Sequence, residues 1–305
     1  MEKKYYILEP ATFALDGGAM FGIIPKPLWS KVHPADDLNR IDLALRIMLI
    51  QAKDHKGQAR NILIDTGIGD YHGEKFDSRF KVSSNLSTEL SPIEFLLSKL
   101  NLAAADITDV VISHLHFDHI GGLGKNVNGV HQPIFLNATL HLHEKHYDYA
   151  QSPTQRDLGS FHQAIFLPLI DNYAKKNQLI FYREESGPLV DGILKYRISM
   201  GHTPYLLHPY DEQFIYMADL IPTSNHIALP WVMGYDIAPG VTVVDKEKIL
   251  PFIADRHLVA IYEHDPQIIG SRLTQKAPGE FDCHHLKHGE TIFENHQTRL
   301  TELRF

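Results

Sequence analysis

Ser113-His114-Leu115-His116-Phe117-Asp118-His119-Ile120-Gly121-Gly122 follows directly on an apolar run, Val110-Val111-Ile112. Four metal-ligating side chains fall between His114 and His119. If the extended geometry of the run persists, His114 and His116 point to one side, because side chains alternate along a strand, and they can share one metal. Asp118 and His119 come after the chain turns and can serve a second metal. Gly121 and Gly122 let the backbone pass close to the next segment. Imidazole is the commonest side-chain metal ligand, and the chain of 305 residues has 20 histidines.

Three later segments offer ligands at the ends of apolar runs: Gly201-His202-Thr203-Pro204, Met217-Ala218-Asp219-Leu220 and Tyr262-Glu263-His264-Asp265. A strand end is where the edge of a sheet opens into a site. The arrangement this suggests is one divalent metal on His114, His116 and His202 and another on Asp118, His119 and His264, with Asp219 bridging the two. Two cations so placed lower the pKa of a shared water to about 7, and the resulting hydroxide is the nucleophile. Asp118, a ligand and a carboxylate at once, could deliver a proton to the leaving oxygen. Asp118 and Asp219 are therefore the catalytic candidates. His and carboxylate donors suit Zn first, with Mn, Fe or Co also compatible.

The rest of the chain sets limits on this chemistry. Apolar residues make up 44% and charged residues 22%, an ordinary globular mixture. The net charge of −8 disfavours nucleic acid as a partner. The apolar run Tyr5 to Leu8 is too short for a signal peptide, and no stretch is long enough for a membrane span. The single cysteine, Cys283, allows no intrachain disulfide and no thiolate zinc cluster. The expectation is a soluble, cytoplasmic protein.

No linker or repeat divides residues 1–305, so one domain is expected. Residues 1–40, punctuated by Gly17, Gly18, Gly22, Pro25, Pro27 and Pro34, read as an irregular apolar arm. Ile41 to Ile50 and Asn61 to Asp65 read as paired strands. Ser91-Pro92-Ile93-Glu94 supplies a cap, a first-turn proline and a capping-box glutamate for a helix. Strands are expected at 110–112, 139–143, 193–200, 213–219 and 257–263. Helices are expected at 160–175, with Phe161, Ala164, Ile165 and Leu169 inward and Pro168 kinking it, and at 245–256. Such a mixture argues for sheets covered by helices.

His-x-His-x-Asp-His, a distant Gly-His-Thr-Pro, an Asp and a final His together resemble the metallo-β-lactamase superfamily. The resemblance implies an α/β fold, an αββα sandwich of two mixed sheets flanked by helices, with a binuclear site at one edge. It also implies that Asp65, in Leu63-Ile64-Asp65-Thr66-Gly67, supports a metal-bound histidine from behind. Asp16 to Gly22, Pro25 to Trp29, Asn39-Arg40-Ile41, Ala218 to Thr223 and Pro230 to Asp236 are similar to quorum-quenching lactonases of the YtnP type and to methyl parathion hydrolases. Relatives of these enzymes suggest that the amino-terminal arm crosses to a second subunit in a homodimer.

The departures also inform. Binuclear β-lactamases have Cys or His where this chain has Asp219, which disfavours a β-lactam substrate. Acyl-homoserine lactonases carry Tyr where this chain has Pro222, and Tyr205 follows Gly-His-Thr-Pro where Gly is usual. The implied reaction is opening of a lactone of the N-acyl-homoserine type, or cleavage of another small ester. Phosphotriesterase or arylesterase activity on the same site is the alternative, followed by a redox enzyme of the superfamily and a non-catalytic metal-binding module. Phe21, Ile23, Trp29, Trp231, Met233 and Tyr235 are the candidates for an apolar wall around an acyl or aryl group. His141, His143 and His146, beside Glu144, are expected to be solvated, and His284, His285 and His288 to be surface residues.

Overall fold

A computed structural model describes residues 3–84, 90–286, 289–295 and 298–305. Lys4–Asp16 is a strand of 13 residues, which corrects the expectation of an irregular arm over residues 1–40. Both faces of this strand are covered: Tyr6 and Leu8 belong to one buried cluster, Tyr5 and Ile7 to another. A strand buried on both faces loses the alternation that marks a half-exposed one. Pro10 lies within a register irregularity between Leu8 and Ala11, where a residue without an N–H is tolerated. Short helices, Gly17–Phe21 and Lys26–Trp29, follow.

Arg40–Lys53 pairs antiparallel with both Lys4–Asp16 and Ala59–Ile64, as the two apolar runs suggested. From Ala59–Ile64 the sheet continues in parallel through Asp109–Val111, Thr139–His143 and Leu179–Tyr182. Arg299–Leu303 and Glu290–Glu294 extend it on the other side. A second sheet runs, in order, through Ser186–Leu189, Leu194–Ser199, Leu206–Tyr210, Phe214–Tyr216, Val259–Ile261, Gly270–Ala277 and Glu280–Leu286.

Ile7, Met48, Ile62, Ile64 and Val111 of the first sheet pack against Leu206, Phe214, Tyr216 and Ile261 of the second. Outside the first sheet, Ile93, Leu96 and Leu97 cover Leu8, Leu49 and Leu63. Outside the second, Ile249, Leu250 and Ile253 cover Ile215 and Ala260. The αββα sandwich follows from these three apolar layers. The helix Pro92–Ser98 starts where its capping box places it, with the Ser91 side chain accepting from Glu94 N and the Glu94 carboxylate accepting from Ser91 N.

Two other helices differ from expectation. Gln163–Lys175 buries Phe166, Leu169, Ile170 and Tyr173, whereas Ala164 is exposed. Pro168 neither shortens nor ends this helix, because it lies on the exposed side, where water can satisfy the carbonyl it leaves free. Pro239–Asp255 begins six residues before the expected Asp245, with Pro239 in its first turn. Among the described residues no helix is long and apolar enough to cross a membrane.

Candidate metal centre

The strand Asp109–Val111 stops before the histidines, so His114 and His116 converge through a loop and not through the alternation of an extended strand. The chain then turns into the helix Phe117–Ile120 and a 3-10 turn, Gly121–Leu123. Two contacts pin this segment. Asp65 accepts from Ser113 N and from Ser113 Oγ, each at 2.6 Å. Thr66 donates to the carbonyl of His119 through N at 2.8 Å and through Oγ1 at 3.0 Å. A Cβ on Gly121 would stand 2.1 Å from Ile68 O, and one on Gly122 would stand 2.1 Å from Thr66 O. The two glycines are therefore required by the close approach of the two loops.

His114 Nε2 and His202 Nε2 each lie 3.1 Å from His116 Nδ1. Asp219 Oδ2 is 3.1 Å from His202 Nε2 and 3.9 Å from His114 Nε2. On the other side, Asp118 Oδ2 is 3.8 Å from His119 Nε2 and 3.6 Å from His264 Nε2. Asp219 reaches this set as well, with Oδ1 3.0 Å from His264 Nε2 and Oδ2 3.7 Å from His119 Nε2. Asp219 thus lies between a group of three imidazoles and a group of two imidazoles with Asp118. Ala218, directly before it, is fully buried with φ of +42°, a conformation that costs a non-glycine residue about 1–2 kcal/mol.

The donor chemistry fits cations. Three ring nitrogens facing one another cannot all be satisfied by protons, and His119 Nε2 and Asp219 Oδ1 are buried without a hydrogen-bond partner. The atoms of each group lie within 4.8 Å of one another. Most of the rings are fixed from behind: the Nδ1–H groups of His114, His119, His202 and His264 face Ser113 Oγ, Asp65 Oδ2, Asp236 Oδ1 and Ala44 O at 2.9–3.1 Å. Each of these four rings then directs Nε2 into its group, the nitrogen that would bind a metal on giving up its proton. His116 presents Nδ1 instead, with its ring packed 4.6 Å from that of Phe161.

Burial and the neighbouring imidazoles hold His114 and His116 well below the ordinary histidine range. Burial acts in the same direction on His202 and His264, but the carboxylates together outweigh it, Asp219 and Asp236 at His202 and Asp219, Glu263 and Asp118 at His264, and raise both to about 9. The Asp219 carboxyl, despite burial, is held well below the usual carboxylate range by His264, His202 and His119. Such a field favours a carboxylate within a cluster of positive charge.

Several participants escaped the sequence reading. Asp236 holds His202 from behind. Glu263, fully buried, brings Oε2 within 2.9 Å of His119 Nδ1, the nitrogen that already faces Asp65. Burial pushes the Glu263 carboxyl up to about 8. The signal for it was a carboxylate between an apolar strand and His264. His141, His143 and His146 were expected to be solvated and are buried. His141 bonds Asp109 and Tyr182, while Glu144 pairs with Arg183. Tyr205 stacks on His143 with ring centroids 4.9 Å apart. His284 and His285 are exposed on the strand Glu280–Leu286, and His288 lies outside the described residues.

A cavity of about 220 Å³ opens onto Asp118, Asp219, His116, His202 and His264. Its apolar wall comprises Leu15, Met20, Phe80, Phe117, Met233 and Tyr235. Of the six expected wall residues, Met233 and Tyr235 line it. Phe21 and Trp29 are buried in the packing cluster behind, where their rings stack at 5.5 Å, and Trp231 meets the edge of Phe21. Ile23 is 81% exposed, because the chain turns outward after Phe21.

Residues 47–264 match the metallo-beta-lactamase superfamily, and the chain belongs to it. The N-acyl homoserine lactonase AttM of Azorhizobium caulinodans is 27% identical over 189 residues, which span 60% of this chain and 66% of that enzyme. A probable metal-dependent hydrolase from Staphylococcus aureus superposes with a TM-score of 0.79 and 28% identity, over 94% of this chain and 98% of that one. AidC, a dizinc quorum-quenching lactonase, shares the fold with a TM-score of 0.69 and 24% identity, over 93% of this chain and 94% of its own.

Proposed function

We propose that this protein is a binuclear metal-dependent hydrolase that opens lactones of the N-acyl-homoserine type or cleaves related small esters. The observation that supports it most is the placement of Asp219 between the two groups of buried imidazoles at the floor of an apolar cavity. Similarity to AttM supports the lactone class.

His114, His116 and His202 would hold one divalent cation and Asp118, His119 and His264 the other, with Asp219 shared; zinc suits this donor set, and Mn, Fe or Co are compatible with it. Cations held there would supply Lewis-acid chemistry, making hydroxide available at neutral pH and polarising a scissile carbonyl. Asp65, Asp236 and the Ala44 carbonyl hold His119, His202 and His264 through Nδ1, which would leave Nε2 of each ring for a cation. Asp118 lies on the cavity wall and would carry the proton of the hydroxyl that adds to the carbonyl over to the leaving oxygen. Met233, Tyr235, Phe117 and Phe80 take up the acyl group and exclude water around it. The net charge of −8 disfavours nucleic acid as a partner.

The test is ring opening of an acyl-homoserine lactone, followed by proton release, with metal-quantified wild type and Asp219→Ala in parallel. Wild-type turnover at two metals per chain and a loss of at least about 100-fold in the variant are expected. Full turnover and full metal content in Asp219→Ala would remove the assignment. Hydrolysis of an aryl ester or a phosphotriester without lactone opening would move the substrate class and keep the centre.

A further inference from the structure

His146 lies in the helix Glu144–Gln151 and is 2% exposed. Both of its ring nitrogens are engaged by backbone. Nε2 accepts from Leu115 N at 2.8 Å, and Nδ1 donates to Pro204 O at 2.7 Å. Leu115 stands between His114 and His116, and Pro204 stands two residues beyond His202. One imidazole therefore ties together the two backbone segments that present the three converging ring nitrogens, although His116 and His202 are 86 residues apart in sequence.

The partners fix its protonation. An amide N–H requires a lone pair at Nε2, and a carbonyl requires an N–H at Nδ1, so the ring is one neutral tautomer. Burial, which holds its pKa down to about 4, agrees with that state. With neither nitrogen free, His146 is no metal ligand. Its ring packs 6.0 Å from Phe161, which in turn covers His116 at 4.6 Å. The contacts that hold the other group differ: His119 is fixed by Asp65 and His264 by Ala44 O, neither through His146.

We infer that His146 is a positioning residue that sets the spacing of the His114–His116 loop against the His202 loop, and thereby the metal affinity of that group alone. This inference rests on the two-metal reading above. Loss of the ring leaves the buried Leu115 N–H and the Pro204 carbonyl without their partner, and the two loops are no longer held at one distance. A glutamine amide offers an acceptor oxygen and a donor nitrogen at a spacing close to that of the two ring nitrogens, so it can remake both bonds.

The experiment is a zinc titration of metal-stripped full-length protein against a chromophoric chelator, for wild type, His146→Leu and His146→Gln. Wild type is expected to bind two zinc ions. In His146→Leu one of the two is expected to weaken by about 10- to 100-fold while the other stays within about threefold, and His146→Gln should keep both near wild type. Two unchanged affinities in the leucine variant would overturn the inference, as would equal weakening of both, or a glutamine variant as weak as leucine. If His146→Leu does not fold, His146→Phe, which keeps the ring volume and loses both bonds, is judged by the same criteria. A wild type that binds no zinc would overturn the metal reading itself. Wild-type binding with an unresponsive variant would overturn only the role of His146.

Discussion

Asp236 Oδ1 lies 3.0 Å from His202 Nδ1, while Oδ2 of the same carboxylate accepts from Met233 N at 3.2 Å and Thr242 Oγ1 at 2.9 Å. One side chain thus orients a candidate metal ligand and anchors part of the cavity wall. Asp236→Ala is expected to lower metal affinity by about 10- to 100-fold, through loss of the hydrogen bond behind the ring. Because Met233 loses its anchor too, KM for an acyl substrate should rise in fully metal-loaded protein. Metal quantification after dialysis against a weak chelator, followed by steady-state kinetics with excess metal, checks both effects.

Asp65 and Glu263 approach the same nitrogen of His119 but differ in what else they do. Asp65 accepts two bonds from Ser113 besides facing His119, whereas neither oxygen of Glu263 has an aligned hydrogen-bond donor. Asp65→Asn turns an acceptor into a donor among donors, and removing one side of such a buried pair costs about 3–5 kcal/mol. Glu263→Gln retains shape and leaves Asp65 facing the same His119 nitrogen and holding Ser113, so it should cost less stability than Asp65→Asn. Urea denaturation of the two variants beside wild type tests the contrast.

Tyr205 adopts φ of +58° directly after the Gly-His-Thr-Pro segment, in a region that favours glycine. Its ring stacks on His143, and the Lys145 ammonium stands 5.0 Å above it. These contacts offset the backbone strain of a side chain in that conformation. Tyr205→Ala removes the contacts and keeps the strain, whereas Tyr205→Gly removes both. The glycine variant should therefore be the more stable of the two, by about 1 kcal/mol, as read from their denaturation midpoints.

His208 and His226 are fully buried neutral groups, with burial holding both down to about 3. Each is bonded: His208 to Ser199 Oγ at 2.8 Å, and His226 to Thr223 Oγ1 at 2.8 Å and Met20 O at 2.9 Å. In the unfolded chain they protonate near pH 6.5, so below that the unfolded state binds more protons and stability falls with falling pH. The slope is about 1.4 kcal/mol per pH unit for each group, continuing toward pH 3. Denaturation midpoints at pH 7.5, 6.5, 5.5 and 4.5 should decline below 6.5 and decline less in His226→Gln. A flat wild-type profile would contradict neutral burial of these rings.

Of the 18 strands among the described residues, seven were legible in the residues alone, together with the pattern that places the chain in its family. Local pattern was enough for the His114–His119 cluster, because spacing and flanking glycines act over ten residues, and for the capping box at Ser91 and Glu94, which is closed within one turn. It failed at Lys4–Asp16, where burial on both faces erased the alternation, and at Ala164, which packing left outside. The grouping of five of the 20 histidines was expected from their motifs, but which of the others are held by backbone was not legible until the segments were folded together. His146, next to His141 and His143 in sequence, is set apart by Leu115 and Pro204, its partners from distant segments. Asp236, Glu263 and the separation of Met233 and Tyr235 from Ile23 were settled in the same way. A hydrogen-bond partner or a cavity wall is a relation in space between segments far apart in the chain, and residue type and spacing specify only what lies within a turn or a strand.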